Sequence, residues 1–221
     1  MYSLADIIYY LLLALCIFLS FIDEHKLIRG IVFLRVLLVT AFFVELANQF
    51  ILTQLNHRNI IYHFYIPIEN GMLCLFYSKT LKKKFLKQGL YFFAIFYVAT
   101  FFLHSFTFGN FDSYPGLFYN IHCLLIIILA TIGLINLKVI ENLSIVKNPM
   151  FWLNSTFLLF YSGIFFFNGT YNYFIRHDVM IANSLRSIIN LNLNLLLYLL
   201  WAYSLYLSIQ MKKFYLPQSW E

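Results

Sequence analysis

The chain has 221 residues, of which 62% are apolar, 21% aromatic and only 11% charged. A water-soluble domain has about 25% charged residues and a disordered chain has few apolar ones, so this composition excludes both classes. The formal charge of +6 comes from basic residues between apolar runs, where they set membrane orientation and contact lipid headgroups rather than nucleic acid. The composition therefore predicts an integral membrane protein in a lipid bilayer.

Seven apolar segments are long enough for a helix that crosses the hydrocarbon layer, which takes about 20 residues. They lie near residues 4–22, 31–53, 61–80, 86–106, 116–136, 150–168 and 183–209. Pro115 and Pro149 stand at the first turn of the fifth and sixth segments, where a missing N–H is harmless. The connections are too short for a further domain, so residues 1–221 are predicted to form one all-α bundle of seven transmembrane helices.

The basic residues predict the orientation of this bundle. Most of them follow the first, third and fifth segments or lie in the C-terminal tail: Lys26, Arg29, Lys79, Lys82, Lys83, Lys84, Lys87, Lys138, Lys147, Lys212 and Lys213. The opposite face holds little beyond Arg58 and Arg176. Because basic loops remain in the cytoplasm, we expect the N-terminus outside and the C-terminus in the cytoplasm.

Ionisable residues within the apolar segments are the first candidates for a functional site, because charge in hydrocarbon is unfavourable. The members of this set are Arg35, Glu45, His63, Glu69, His122 and Arg186. Counted at about 1.5 Å per residue from the outer loop, Glu45 and Glu69 lie about 12 Å deep. The same count places His122 and Arg186 about 9 Å below the outer face. We expect a polar cluster in the outer half of the bundle. Arg186 then pairs with Glu69 or Glu45, or its side chain extends to the outer surface.

The seventh segment contains one polar stripe through a leucine-rich helix. Its residues recur at three- and four-residue steps: Asn183, Arg186, Ser187, Asn190, Asn194 and Tyr198. Such a stripe faces the protein interior, either as interhelical hydrogen bonds of about 0.6 kcal/mol each or as the wall of a ligand pocket. In the third segment, Pro67 removes a backbone hydrogen bond to His63 beside Glu69, which predicts a kink or a ligand site.

These patterns predict a ligand site without a catalytic residue or a metal. Its candidate residues are Glu45, Glu69, Arg186, His63, His122, Asn190 and Asn194. The sequence contains no HExxH, GxSxG or Walker motif. Cys16, Cys74 and Cys123 lie in apolar runs without CxxC spacing and are interpreted as packing residues. Retinal is excluded because no lysine lies within a segment core to form a Schiff base; any other cofactor is left open.

Three function classes are compatible with this architecture. We favour a membrane-embedded sensor or partner-binding module, in which a ligand occupies the outer polar cavity and a cytoplasmic or membrane signalling protein binds the basic face. A membrane-embedded lipid hydrolase or transferase would use the glutamate and histidine cluster. A small transporter is the third class, although secondary transporters usually contain repeats and paired broken helices.

Three stretches carry a resemblance to known proteins. They are the run YHFYIPIEN at 62–70, the run NPMFW at 148–152 and the asparagine-spaced last helix. Together they resemble a group of small, largely uncharacterised bacterial seven-helix membrane proteins, some of which stand beside two-component signalling genes. The resemblance implies a signalling context and adds weight to Glu69, but it supplies no activity. The sequence thus predicts a multi-pass protein of the bacterial inner membrane.

Overall fold

A computed structural model describes residues 4–22, 28–48, 59–81, 83–107, 111, 114–137 and 144–215 of the chain. Throughout these residues the fold is helical and contains no β-strand. The described helices are α1 (Leu4–Ile22), α2 (Ile31–Ala47), α3 (Ile60–Thr80), α4 (Lys84–Thr107), α5 (Gly116–Ile135), α6 (Pro149–His177) and α7 (Val179–Tyr215), with a 3₁₀ turn at Ile145–Lys147. The predicted all-α class is therefore confirmed.

Five of the described helices are long and apolar enough to cross a membrane. They are α1, α4, α5, the Pro149–Tyr171 part of α6 and the Val179–Gln210 part of α7. In contrast, α2 has 17 residues, which span about 25 Å at 1.5 Å per residue. The helix α3 contains four buried polar residues, His63, Glu69, Asn70 and Ser78. The five apolar helices are compatible with a multi-pass membrane protein, and a crossing by all seven stays a prediction.

The last two helices extend well beyond the segments predicted from hydropathy. The predicted sixth segment ends at residue 168 and the seventh begins at 183, whereas α6 continues to His177 and α7 begins at Val179. Asp178 alone connects them. Its N–H donates to the carbonyl of Phe174 at 2.9 Å, and its carboxylate accepts from the backbone N–H of Met180 at 2.8 Å. Hydropathy detects only the apolar part of a helix. The Asp178 cap stabilises the polar turns beyond it, so both helices continue past the predicted segments.

The two prolines predicted at helix starts lie where a missing N–H is tolerated. Pro149 is in the first turn of α6, as predicted, and the Asn148 side chain accepts a hydrogen bond from the Met150 N–H at 2.9 Å. Pro115 directly precedes α5, and its carbonyl accepts from the Tyr119 N–H at 3.1 Å. Both prolines therefore mark the beginning of a helix.

The chain divides into two compact units, which are described separately. The first unit comprises Met1–Ile28 and Cys123–Glu221, and the second comprises Arg29–His122. The first contains α1, α6 and α7, the second contains α2, α3 and α4, and α5 begins in the second unit and continues in the first. The prediction of a single domain over residues 1–221 stays a prediction.

In the first unit, α7 packs against both α6 and α1. Gly163 of α6 lies so close to α7 that an added Cβ would stand 2.9 Å from Leu193 Cδ1. Gly133 of α5 contacts the Asn154 side chain of α6 in the same manner. Small residues at such crossings let helices approach closely, which is the main source of helix association in lipid.

In the second unit, α3 lies between α2 and α4 and packs against both. Gly30 has a φ of +83°, and a Cβ there would lie 3.3 Å from the Phe76 carbonyl oxygen, so glycine allows α2 to begin against the end of α3. Ile66, Tyr97 and Phe101 form the apolar core between α3 and α4. The Tyr97 hydroxyl donates to the Phe118 carbonyl at 2.8 Å, which attaches the beginning of α5 to α4.

Candidate functional site

The helix α3 concentrates the buried polar side chains of the second unit. Glu69 is 5% exposed and Asn70 is fully buried, although both lie in a helix with apolar neighbours. Pro67 lies inside the same helix and has no N–H to donate to the carbonyl one turn earlier. The two polar residues therefore follow directly after the turn of α3 that lacks a backbone hydrogen bond.

Asn70 connects α3 to His122 of α5. Its amide nitrogen lies 3.0 Å from His122 Nδ1, and both residues have no exposed surface. The amide oxygen of Asn70 accepts from the Cys74 thiol, with 3.6 Å between sulfur and oxygen. Because the oxygen faces the thiol, the amide nitrogen donates to Nδ1, and the ring proton is consequently on Nε2. Asn70 thus determines the tautomer of His122.

The other nitrogen of His122 faces the carboxylate of Glu69. Its Nε2 lies 3.7 Å from Glu69 Oε2, beyond the roughly 3.2 Å limit of an N–H···O hydrogen bond. A water or hydroxyl group beside the pair, rather than on the line between the two atoms, can accept from Nε2–H and donate to the carboxylate. On the other side, the Tyr119 ring stacks on the imidazole at 5.9 Å. We refer to Glu69, Asn70, Cys74 and His122 as the Glu69–His122 cluster.

His63 lies in α3, one turn before Pro67, and its side chain forms a hydrogen bond to a different helix. Its Nδ1 lies 3.1 Å from the Ser105 hydroxyl of α4, and each residue is 2% exposed. The imidazole also packs edge-on against Phe101, with 5.9 Å between ring centroids. Sequence reasoning missed Ser105, because a lone hydroxyl in an apolar helix usually bonds its own backbone, as Thr100 does to Phe96.

The remaining predicted site residues are partly buried. Glu45 lies in α2, while Arg186, Asn190 and Asn194 lie in α7. The Arg186 guanidinium carbon lies 5.4 Å from the centroid of the Tyr171 ring, within the distance of a cation–π contact. The Asn194 amide donates to the Asn190 carbonyl of its own helix at 2.9 Å.

The predicted pairing of Arg186 with Glu69 or Glu45 joins residues of the two separately described units. It stays a prediction, as does the shared depth of the two carboxylates. Within the second unit, the structure does bring together Glu69 and His122. In the part of the chain that the structure describes, no group of three or more His, Cys, Asp or Glu side chains is arranged to hold a metal ion.

The chain was also compared with known proteins. No protein-family model, no curated protein and no solved structure matches it. The resemblance to small bacterial seven-helix proteins therefore stays a prediction.

Proposed function

We propose that this chain is a membrane-embedded sensor whose ligand site is the Glu69–His122 cluster. The observation that carries the proposal is the buried pair of carboxylate and imidazole, 3.7 Å apart, in an apolar helical protein. Ionisable groups within membrane helices are unfavourable unless they are paired, and they commonly mark ligand, ion or proton sites. The held tautomer of His122 gives this pair one donor and one acceptor that face each other.

The ligand chemistry follows from that donor and acceptor. A hydroxyl group of a small molecule or lipid would accept from His122 Nε2–H and donate to the Glu69 carboxylate. Protonation of the carboxylate would produce a related change, because a neutral carboxyl donates a hydrogen bond that the carboxylate lacks. Either event alters the link between α3 and α5.

Pro67 provides the element that responds. The cluster begins two residues after Pro67, where α3 lacks one backbone hydrogen bond and bends most readily. The far end of α3 is attached to α2 at Gly30 and to α4 through Ser78 and Tyr91, whose hydroxyls lie 3.1 Å apart. A changed bend would therefore move this end of the second unit, where a signalling partner would bind.

Co-purification tests the sensor proposal. Three tagged forms of the chain are extracted from native membranes: wild type, Glu69→Gln and Asp178→Asn. Asp178→Asn is the matched control, because it changes a carboxylate to an amide outside the cluster and its side-chain oxygen can still cap α7. We expect one protein to be retained by wild type and control, with its yield changed several-fold by Glu69→Gln. Equal retention of the same proteins by all three variants, or of none, would contradict the proposal.

The topology belongs to the same proposal: all seven helices cross the inner membrane, with the N-terminus outside. The loop charges support this orientation. Lys83 and Asp178 are both exposed, and the three natural cysteines are buried and give little background. In intact cells, a membrane-impermeant maleimide should label Asp178→Cys but not Lys83→Cys. The opposite pattern would reverse the orientation, and labelling of both would refute the proposed crossings.

A lipid hydrolase is the second candidate, and one contact favours it. The 3.1 Å separation of His63 Nδ1 and Ser105 Oγ matches a base beside a serine nucleophile. A fluorophosphonate probe reacts with such a serine. Labelling that is lost in Ser105→Ala and kept in Ser78→Ala, another buried serine, would favour the hydrolase. The sensor proposal expects no labelling that depends on Ser105.

A further inference from the structure

One end of the second unit brings together three helix termini: the beginning of α2, the end of α3 and the beginning of α4. A Cβ added at Gly30 would lie 3.3 Å from Lys79 Cβ, so the residues that precede α2 contact the last turn of α3. The Ser78 and Tyr91 hydroxyls lie 3.1 Å apart and attach that turn to α4. These contacts hold the three termini side by side. We call this region the basic end.

The basic end is strongly positive. Its described basic residues are Arg29, Lys79, Lys83, Lys84 and Lys87. All of these are exposed apart from Lys87, which is partly buried. The described acidic residues of the second unit are Glu45 and Glu69, and Glu69 precedes Lys79 by ten residues, about 15 Å along the helix. Glu45 follows Gly30 by 15 residues, about 22 Å along α2, so neither described carboxylate of this unit neutralises the basic end.

The basic residues of this end lie close together in space, although a membrane orientation signal requires only that they lie on the same side of the membrane. Lys83 directly precedes α4 and Lys87 lies on its first turn, where the Lys87 N–H donates to the Lys83 carbonyl at 3.2 Å. Lys79 lies on the last turn of α3, and Arg29 directly precedes the glycine that contacts Lys79. Positive charge thus converges from three helices. Such clusters attract the phosphate of anionic lipids at a membrane surface.

An apolar surface on α4 continues from the basic end. Phe85, between Lys84 and Lys87 in sequence, is 82% exposed, and Phe92 two turns later is 72% exposed. Residues seven apart lie on the same side of a helix. Lys84 directly precedes Phe85, whereas Lys83 and Lys87 lie toward the opposite side of the helix. A headgroup phosphate bound at Lys84 would therefore place its acyl chains beside these two rings, an arrangement that a free phosphate ion would not use.

We infer that the basic end binds the phosphate of an anionic phospholipid, with the acyl chains against Phe85 and Phe92. The lysines supply charge and hydrogen-bond donors to the phosphate oxygens, and the phenylalanines supply the apolar contact. The inference does not rest on the sensor proposal, because it involves no residue of the Glu69–His122 cluster, although the same end of the second unit is where the proposed signalling partner would bind.

Native mass spectrometry of the full chain in a neutral detergent tests this inference. The protein is titrated with phosphatidylglycerol and with phosphatidylcholine of the same acyl chains. We expect at least tenfold tighter binding of phosphatidylglycerol. Each removed charge should weaken it about fivefold, so that K83Q/K84Q/K87Q lowers affinity on the order of 100-fold. Two controls should bind as wild type does: K83R/K84R/K87R, which keeps the three charges, and Lys147→Gln, at an exposed lysine outside the basic end.

Two results would overturn the inference: equal affinity of wild type for the two lipids, or unchanged phosphatidylglycerol affinity in the folded glutamine variant. If the triple glutamine variant does not fold, Lys83→Gln and Lys84→Gln replace it, each with an expected fivefold loss. Inorganic phosphate at millimolar concentration is the competitor. Complete displacement of the lipid by inorganic phosphate would also refute the inference, because it would identify a site for free anions.

Discussion

Hydroxyl side chains bond to their own helix in both units, but the described bonds between side chains of separate helices lie in the second unit. In the second unit, buried side chains connect separate helices: Asn70 bonds to His122, His63 to Ser105 and the Tyr97 hydroxyl to the Phe118 carbonyl. In the first unit, several polar side chains bond to their own helix: Asn154 to Met150, Thr156 to Trp152 and Asn194 to Asn190. Side chains of the first unit also bond to another helix, as Ser204 does to the Pro149 carbonyl and Cys16 to the Tyr198 carbonyl.

This difference separates two ways to hold helices together in lipid. A side chain that bonds to its own backbone satisfies a polar group without joining helices, so association then depends on close packing at small residues. A side chain that bonds to another helix couples the positions of both. A ligand that changes such a bond moves a helix, which is why we place the sensing site in the second unit.

The largest expected effect is at the close packing of the first unit. A Cβ at Gly133 would lie 2.8 Å from Asn154 Cγ, and Asn154 is fully buried. Gly133→Ala should therefore lower the free energy of unfolding by about 2 kcal/mol. SDS-induced unfolding in mixed micelles, followed by circular dichroism, measures this quantity.

Gly169→Ala is the matched control, because nothing lies within 4 Å of a Cβ at that position. It should leave stability unchanged or raise it by up to about 1 kcal/mol through helix propensity. The double variant Gly133→Ala/Asn154→Ala should recover most of the lost free energy of unfolding, since it also removes the Asn154 side chain that the new Cβ would contact. Equal effects of the two alanine substitutions would show that packing at Gly133 is not tight.

The next effect concerns the link between α3 and α5. Asn70→Ala removes the hydrogen bond to His122 Nδ1 and should lower the free energy of unfolding by about 1 kcal/mol, within the range known for bonds between membrane helices. A double-mutant cycle with His122→Ala isolates the pair, and the same SDS titration gives the four stabilities. A coupling free energy near zero would mean that the two side chains do not stabilise each other.

A smaller effect is expected at Tyr97. Tyr97→Phe keeps the ring in the core of the second unit and removes only the hydroxyl that bonds the Phe118 carbonyl at 2.8 Å. The free energy of unfolding should fall by about 0.6 kcal/mol. Tyr203→Phe, at an exposed tyrosine of α7, serves as the control and should change nothing measurable. A loss of the same size in both variants would contradict the assignment.

The smallest effect is expected within α7. Asn194 donates to a carbonyl of its own helix, so Asn194→Ala should change the free energy of unfolding by about 0.3 kcal/mol or less. The same SDS titration measures the change for Asn194→Ala, which should be clearly smaller than the change for Asn70→Ala. A loss as large as that of Asn70→Ala would indicate that the asparagine stripe does join helices, and it would remove the contrast between the units.

The limits of sequence reasoning differ between the helices and the site. Hydropathy located α1 at 4–22 because charged residues end its apolar run. It predicted α6 and α7 too short, because their polar turns next to the Asp178 cap are also helical. Counting depth placed Glu69 and His122 near one level. It did not give the Asn70 bond, because partners 52 residues apart depend on how α3 and α5 pack. No sequence motif or spacing around Ser105 indicates that its hydroxyl contacts His63.

A high-resolution density map of the protein, extracted in mild detergent without added ligand, tests the central claim most directly. We expect density for a water, hydroxyl group or larger ligand within hydrogen-bond distance of both His122 Nε2 and the Glu69 carboxylate, and its loss or displacement in Glu69→Gln. The Asn70 bond to His122 should persist in both maps. Side chains of Glu69 and His122 that point away from each other toward lipid would contradict the account.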